Sequence, residues 1–381
     1  MTTHALVNGR VLLDDGLAER KAVLVEGDRI AAIVDSADAR GKGATRIHDL
    51  KGALLLPGFV DCQVNGGGGL LFNDDPSVAT LEAIGRAHRR FGTAAFLPTL
   101  ISDDLSVIAR AIEAVREAIA RKVPGVVGVH IEGPFINVAR RGAHDAAKVR
   151  DLDARGMALL GSLGVGRTLV TLAPEMTTPA SIRLLAEAGV VISAGHTNAT
   201  FDETLAAFAS GVGGVTHLFN AMSPMNNREP GTVGAALFHP DCWCGLIVDG
   251  KHVHPAVLQV AMRAKRSDRF MLVTDAMPNV GSDEASFMLQ GRRITVKDGV
   301  CVDENGTLSG SAIDMATAVR NAMQLLELPL ETAVRMASTY PAQFLGLDDE
   351  LGRIAPGCRA SFVIADDRMR VQSTWIDGVP G

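Results

Sequence analysis

The chain predicts an α/β fold: a (β/α)₈ TIM-type barrel with a small β-sandwich domain formed by both termini. Three features of its 381 residues predict this. Apolar strand patterns alternate with amphipathic helical patterns through the middle, which implies a parallel sheet. Eight such strand patterns fall within about 280 residues, the size of one barrel. Both ends are instead short strands broken by turn residues, with no helical period.

The N-terminal strands are read from "ALVNGRVLLDDG" and "KAVLVEGDRIAAIVD", interrupted by Asn-Gly, Asp-Gly and Gly-Asp turns. The tail from Gly352, "GRIAPGCRASFVIADDRMRVQSTWIDG", has the same texture. Residues 1–55 and 350–381 are therefore expected to form one small sheet domain, and residues 56–349 the barrel. The barrel strands are expected at Phe59–Asn65, Thr93–Ile101, Val126–Phe135, Thr168–Glu175, Val190–Asn198, Gly214–Met222, Trp243–Val253 and Phe270–Met277. Between them, "PSVATLEAIGRAHRRFG", "DDLSVIARAIEAVREAIARK", "TPASIRLLAEAG" and "FDETLAAFASG" carry apolar residues at helical spacing, several ending at Gly. The interval after the sixth strand reads as loop-rich. Residues 283–308 read as a β-hairpin insertion, and Gly66–Gly69 as a tight, mobile loop.

A hydrophobic share of 47% and a charged share of 21% describe a chain that buries a sizeable core. The formal net charge of -6 disfavours nonspecific binding to nucleic acid or anionic membranes. No charged-then-apolar leader and no apolar run of spanning length is present, so a cytoplasmic location is expected. The five cysteines form no Cys-x-x-Cys, and Cys242-Trp243-Cys244 has the wrong spacing for a zinc knuckle, so all are read as reduced thiols.

Barrel enzymes place their chemistry at the C-terminal ends of the strands. There the chain offers His130 and Glu132 on the third strand, Glu175 on the fourth, His196 on the fifth and His217 on the sixth. The seventh offers Asp249, His252 and His254, and the eighth Asp275. A lone histidine at a strand end is ordinarily a hydrogen-bonded or exposed residue, and His88, His239 and His254 are read that way. Glu132, His196, His217 and Asp275 recur at equivalent positions of four strands, which packing does not explain, because buried charge is costly unless paired or metal-bound. Two histidines and a carboxylate leave a coordination position open on Zn²⁺ or Fe²⁺. Such a metal polarises a carbonyl and activates water, and Asp275 then suits a general base. The same ligand set serves iron oxygenases, where Asp275 would lack a role.

"PGFVDCQVNGGGG", "HIEGPF", "RRGAHD", "SAGHTNAT", "THLFNAMSP", "DGKHVHP", "VTDAM" and "LSGSAIDMATAV" occur in this order along the whole chain. Together they resemble the N-acetylglucosamine-6-phosphate deacetylases of the amidohydrolase superfamily. The resemblance implies a metal-dependent barrel, usually a homodimer, that hydrolyses the acetamide of N-acetyl-D-glucosamine 6-phosphate to D-glucosamine 6-phosphate and acetate. It implies one divalent metal ion per subunit on Glu132, His196 and His217. Zn²⁺ is the expected ion, with Fe²⁺, Co²⁺ or Mn²⁺ as alternatives. Asp275 matches the catalytic acid/base, and His144 the residue that bonds the substrate carbonyl. Ala143, Asn220, Ala221, Leu308 and Ser309 match substrate contacts. Arg228 and His252 match phosphate contacts that the family partly takes from the neighbouring subunit.

On the first strand Gln63 and Asn65 stand where many hydrolases carry a His-x-His metal pair. Both are poor ligands, so a single-metal enzyme is expected, with these two amides bonding near the site and the substrate. The fourth strand carries no lysine that could be carboxylated to bridge two metals, which argues against dihydroorotase-like and hydantoinase-like enzymes. His130, one step deeper than Glu132, is read as structural. The alternatives are a metal-dependent amidohydrolase of another N-acylated amino sugar or, from a different class, a catalytically dead barrel serving as a scaffold.

Overall fold

The computed structural model describes residues 3–39, 44–297 and 299–381. The expected features at 1–2, 40–43 and 298 lie outside the described residues. An eight-stranded sheet runs in chain order, from Phe59–Val64 through Thr93–Ile101, Gly128–Glu132, Arg167–Leu172, Val191–Ala194, Gly214–Val215 and Trp243–Leu246 to Phe270–Leu272. Every neighbouring pair is parallel. Such pairing requires a crossover between strands, and helices supply it outside the sheet. Leu105–Ala120 shows why they pack there: Leu105, Ile108, Ala111, Ile112, Val115 and Ala118 are buried at three- and four-residue spacing. Phe201–Ser210 begins where it does because Thr200 and Glu203 form a reciprocal capping box.

The first and last strands of this sheet meet without a regular ladder. Val64 and Ala276 form an isolated bridge. The Asp275 amide donates to Gln63 O at 2.9 Å and the Asn65 amide to Ala276 O at 2.9 Å. One residue deeper, the Thr274 hydroxyl donates to the buried Asp61 carboxylate at 2.6 Å. The seam is thus closed beside Asp275 and Gln63.

The termini form two further sheets. Thr3–Val7, Lys21–Glu26, Arg29–Asp35 and Arg46–Asp49 make one of four strands. Arg10–Leu13, Gly16–Ala18, Leu54–Pro57, Phe362–Ala365 and Val371–Trp375 make one of five. The tail strand Phe362–Ala365 pairs antiparallel with Leu54–Pro57, the strand that leads into the barrel. Leu6, Val11, Val23, Ile30, Leu55, Phe362 and Trp375 share one core between the two sheets.

Four local expectations need correction. The expected hairpin at 283–308 is a four-stranded antiparallel sheet, Ser286–Leu289, Arg292–Lys297, Val300–Val302 and Leu308–Ser311. The four glycines are a hairpin, Gly66–Gly67 with Leu70–Leu71, and Gly68 and Gly69 supply its turn at φ of +62° and +86°. The loop-rich interval after the sixth strand includes a buried helix, Gly231–Phe238. The last six expected barrel strands also end early, at Glu132, Leu172, Ala194, Val215, Leu246 and Leu272. His196, His217 and Asp275 turn left-handed, at φ of +48°, +31° and +51°, and so leave the strand direction.

Gly128 begins the third barrel strand, and a Cβ there would lie 1.9 Å from Arg167 O. The Gly128→Ala variant is therefore expected to lose about 1–3 kcal/mol of stability, read from the midpoint of denaturant unfolding.

Candidate active site

A cavity of ≈ 380 Å³ opens at the C-terminal ends of the strands. That is the size range of small-molecule sites. Glu132, His196, His217 and Asp275 all line it, with His144 and His252. Glu132 is buried. Its Oε1 lies 3.1 Å from His196 Nε2 and 3.0 Å from His217 Nε2, and the two ring nitrogens are 3.2 Å apart. Donor atoms about 2.0–2.2 Å from one tetrahedral ion sit roughly 3.3 Å from each other, so the three converge as a ligand set would. Among the described residues this is the one group of three such donors that meets. His196 Nδ1 bonds Arg140 O at 2.9 Å, which fixes the ring and leaves Nε2 free for an ion.

Burial pushes the Glu132 carboxyl up, but the bonds to His196 and His217 outweigh it and hold it well below the carboxylate range. Asp275 lacks that compensation. Burial first, and the Glu132 charge second, push it up to about 6. Gln63 and Asn65 act on this pair. Gln63 Nε2 donates to both Glu132 oxygens at 3.2 Å and to Asp275 Oδ1 at 3.1 Å. Asn65 Nδ2 donates to the same Asp275 oxygen at 2.6 Å. Two neutral amides thus hold Asp275 beside Glu132 without contributing ligands.

His144 is buried, and its Nδ1 accepts the Ser102 backbone N–H at 3.3 Å. Its proton therefore resides on Nε2, which makes the ring a donor. Burial, then the neighbouring His196 charge, keep it well below the usual histidine range and hence neutral. The loop bearing it is tied to the four-stranded insertion, because Gln290 accepts from the Asp145 amide at 2.8 Å and donates to Ser102 O at 2.6 Å.

Ala143, Asn220, Ala221, Leu308 and Ser309 also line the cavity. Arg228 does not; it lies in the exposed segment 224–229. His130 is removed from the cavity, bonded through Nε2 to Thr171 at 2.8 Å and through Nδ1 to Thr99 at 3.2 Å, and burial pulls it down to about 4. Glu175 braces the neighbouring loops, accepting from Asn137 at 3.0 Å. Sequence reasoning missed Arg140, Ser102 and Leu289. Ser102, just past the second strand's end, was the one with a positional signal.

The amidohydrolase family model matches residues 54–380. The chain belongs to the amidohydrolase family. The N-acetylgalactosamine-6-phosphate deacetylase of Shewanella sp. (strain ANA-3) is 44% identical over 370 residues, 97% of this chain and 93% of that one. The crystal structure of the N-acetylglucosamine-6-phosphate deacetylase of Pasteurella multocida superposes with a TM-score of 0.96 at 36% identity, covering 100% of this chain and 99% of that one. The Mycobacterium smegmatis N-acetyl-D-glucosamine-6-phosphate deacetylase, an Asp-to-Ala mutant in complex with N-acetyl-D-glucosamine-6-phosphate, superposes with a TM-score of 0.91 at 31% identity, covering 100% and 99%. As an amidohydrolase with a Glu/His/His cluster, the chain is a metal-dependent hydrolase of amide bonds.

Metal-stripped protein given Zn²⁺ at a hundredfold excess over Kd is expected to gain about 2.7 kcal/mol of stability. The gain is read as a rise in thermal midpoint, and Glu132→Gln abolishes it.

Proposed function

We propose that the chain deacetylates N-acetyl-D-glucosamine 6-phosphate, giving D-glucosamine 6-phosphate and acetate. The observation that carries this reading is the Asp275 carboxylate, held by Asn65 and Gln63 beside the Glu132, His196 and His217 cluster and facing the same cavity as His144. A divalent ion on the cluster, with Zn²⁺ the expected one, would polarise the acetamide carbonyl and acidify a water. Asp275 takes the proton of the attacking water as the new C–O bond forms. The His144 Nε2–H donates to the carbonyl oxygen as negative charge develops there. Asp275 then returns the proton to the nitrogen as the C–N bond breaks. Asn220, Ala221, Ala143, Leu308 and Ser309 are read as contacts of the sugar and His252 as a contact of its phosphate; that all six line the cavity supports this.

A homodimer accommodates Arg228. It lies in an exposed segment outside its own cavity, which suits a residue that the family resemblance assigns partly to the neighbouring subunit's site. No helix among the described residues is long and apolar enough to cross a membrane, and a cytoplasmic enzyme suits a phosphorylated sugar. We divide the chain into a sandwich of residues 1–55 with 350–381 and a barrel of 56–349; the two terminal sheets support this, with Leu54–Pro57 crossing the boundary.

A second reading is favoured by one specific observation, the 44% identity to a deacetylase of the galactosamine epimer. The two sugars differ only in the orientation of the C4 hydroxyl, remote from the acetamide, so the same chemistry serves both.

Acetate release from each epimer's 6-phosphate and from the unphosphorylated sugars decides among these. Release from the glucosamine derivative supports the first reading, release from the galactosamine derivative alone the second, and release from neither overturns both. With the active substrate, Asp275→Asn is expected to lower kcat by about 10²–10⁴-fold with metal content unchanged. His144→Ala is expected to lower it by about 10²–10³-fold, also with the metal retained.

A further inference from the structure

We propose that Asp249 is a positioning residue: it fixes the His252 ring at the cavity wall and supplies the countercharge that lets this ring meet an anionic group as an imidazolium. Asp249 thereby sets the preference for a phosphorylated over an unphosphorylated sugar. The inference rests on the reading that the substrate carries a phosphate.

Both residues belong to the loop that follows the seventh barrel strand, where Gly250 at φ +72° reverses the chain. Asp249 Oδ2 lies 2.6 Å from His252 Nδ1. Its Oδ1 accepts the amides of Lys251 at 2.8 Å and His252 at 2.9 Å. The two side chains are only 2% and 5% exposed, so this pair sits away from bulk screening. Burial pushes the Asp249 carboxyl up, but the His252 bond and the two amides outweigh it and hold it below the ordinary value. The carboxylate is thus ionised and can only accept, so the short contact requires a proton on Nδ1. Nε2 is then the ring nitrogen left to the cavity, which His252 lines.

The cavity needs such a group. Its wall includes two carboxylates, Glu132 and Asp275, which oppose entry of a phosphate dianion. Of the other basic groups of the wall, His196 and His217 face Glu132 and His144 is buried and neutral. Arg140 spends its Nε on the neutral Asn198 amide oxygen at 2.9 Å and keeps its charge, so His252 acts beside it. A charge-assisted bond from His252 is about twice as strong as one from a neutral ring.

A simple turn cap would be the rival role, and the two oxygens of Asp249 separate the roles. Asp249→Asn keeps the oxygen that caps the turn and replaces the other with an amide that donates to Nδ1. The ring is then forced neutral. Steady-state acetate release decides, using the active epimer with and without its 6-phosphate. A wild-type enzyme with no preference for the phosphate overturns the underlying reading before any variant is made. Given that preference, Asp249→Asn should raise KM for the phosphorylated sugar by about tenfold, as one charged bond is exchanged for a neutral one. It should leave kcat, and kcat/KM for the unphosphorylated sugar, at wild-type values. Added to His252→Gln, it should have no further effect. If Asp249→Asn unfolds below assay temperature, Asp249→Ser carries the same test, because a serine hydroxyl also caps such turns. Loss that falls equally on both sugars, or an unchanged KM, overturns the proposal.

Discussion

The buried Glu132 carboxylate is the constraint on which the rest of the site depends. Surface ion pairs contribute about 1 kcal/mol or less, whereas a buried ion costs several kcal/mol unless its partners are in place. The fold places them: His196 and His217 reach one oxygen from the fifth and sixth strands, and Gln63 reaches both from the first. Asp275 enters the same pocket as a second carboxylate and is pushed up to about 6, burial acting first and Glu132 second. The amides at 63 and 65 follow from this crowding. A histidine pair there would offer ligands for a second ion, while Gln and Asn offer donors to two carboxylates that can only accept.

Backbone geometry converts the barrel into this site. A strand alternates its side chains between core and exterior, which would aim successive residues apart. The left-handed turns at His196, His217 and Asp275 break that alternation where the strands end. Non-glycine residues in such conformations are costly, and they persist where the surroundings over-determine them. Here the seam does so at Asp275, through the Gln63 and Ala276 backbone bonds and the Thr274–Asp61 contact below.

The architecture was legible in the sequence because strand and helix periods are local signals. Thr93–Ile101 could be read to the residue, since all nine of its residues are buried and apolar or small. The strand ends were less legible: the apolar pattern continues through "SAGHTN" and "THLFNAM", while the backbone turns away to meet side chains from other strands. The convergence of Glu132, His196 and His217 was readable from their equivalent positions. The orientation of His144 was not, because it depends on Ser102, 42 residues away in the chain. Nor was the role of the insertion, whose Leu289 and Gln290 reach the cavity wall and the His144 loop only through tertiary contact. Arg228 reads as a phosphate ligand from its motif, yet within its own subunit it is exposed and outside the cavity.

In the proposed site one ion rests on Glu132, His196 and His217, and Gln63 and Asn65 exclude a second. Elemental analysis of the protein after equilibrium dialysis against Zn²⁺, at a concentration that saturates activity, tests it most directly. One tightly held ion per chain is expected, lost in His196→Ala and unaffected by Asn65→Ala. Two ions per chain in the wild type, or full activity in a chain that holds none, would contradict it.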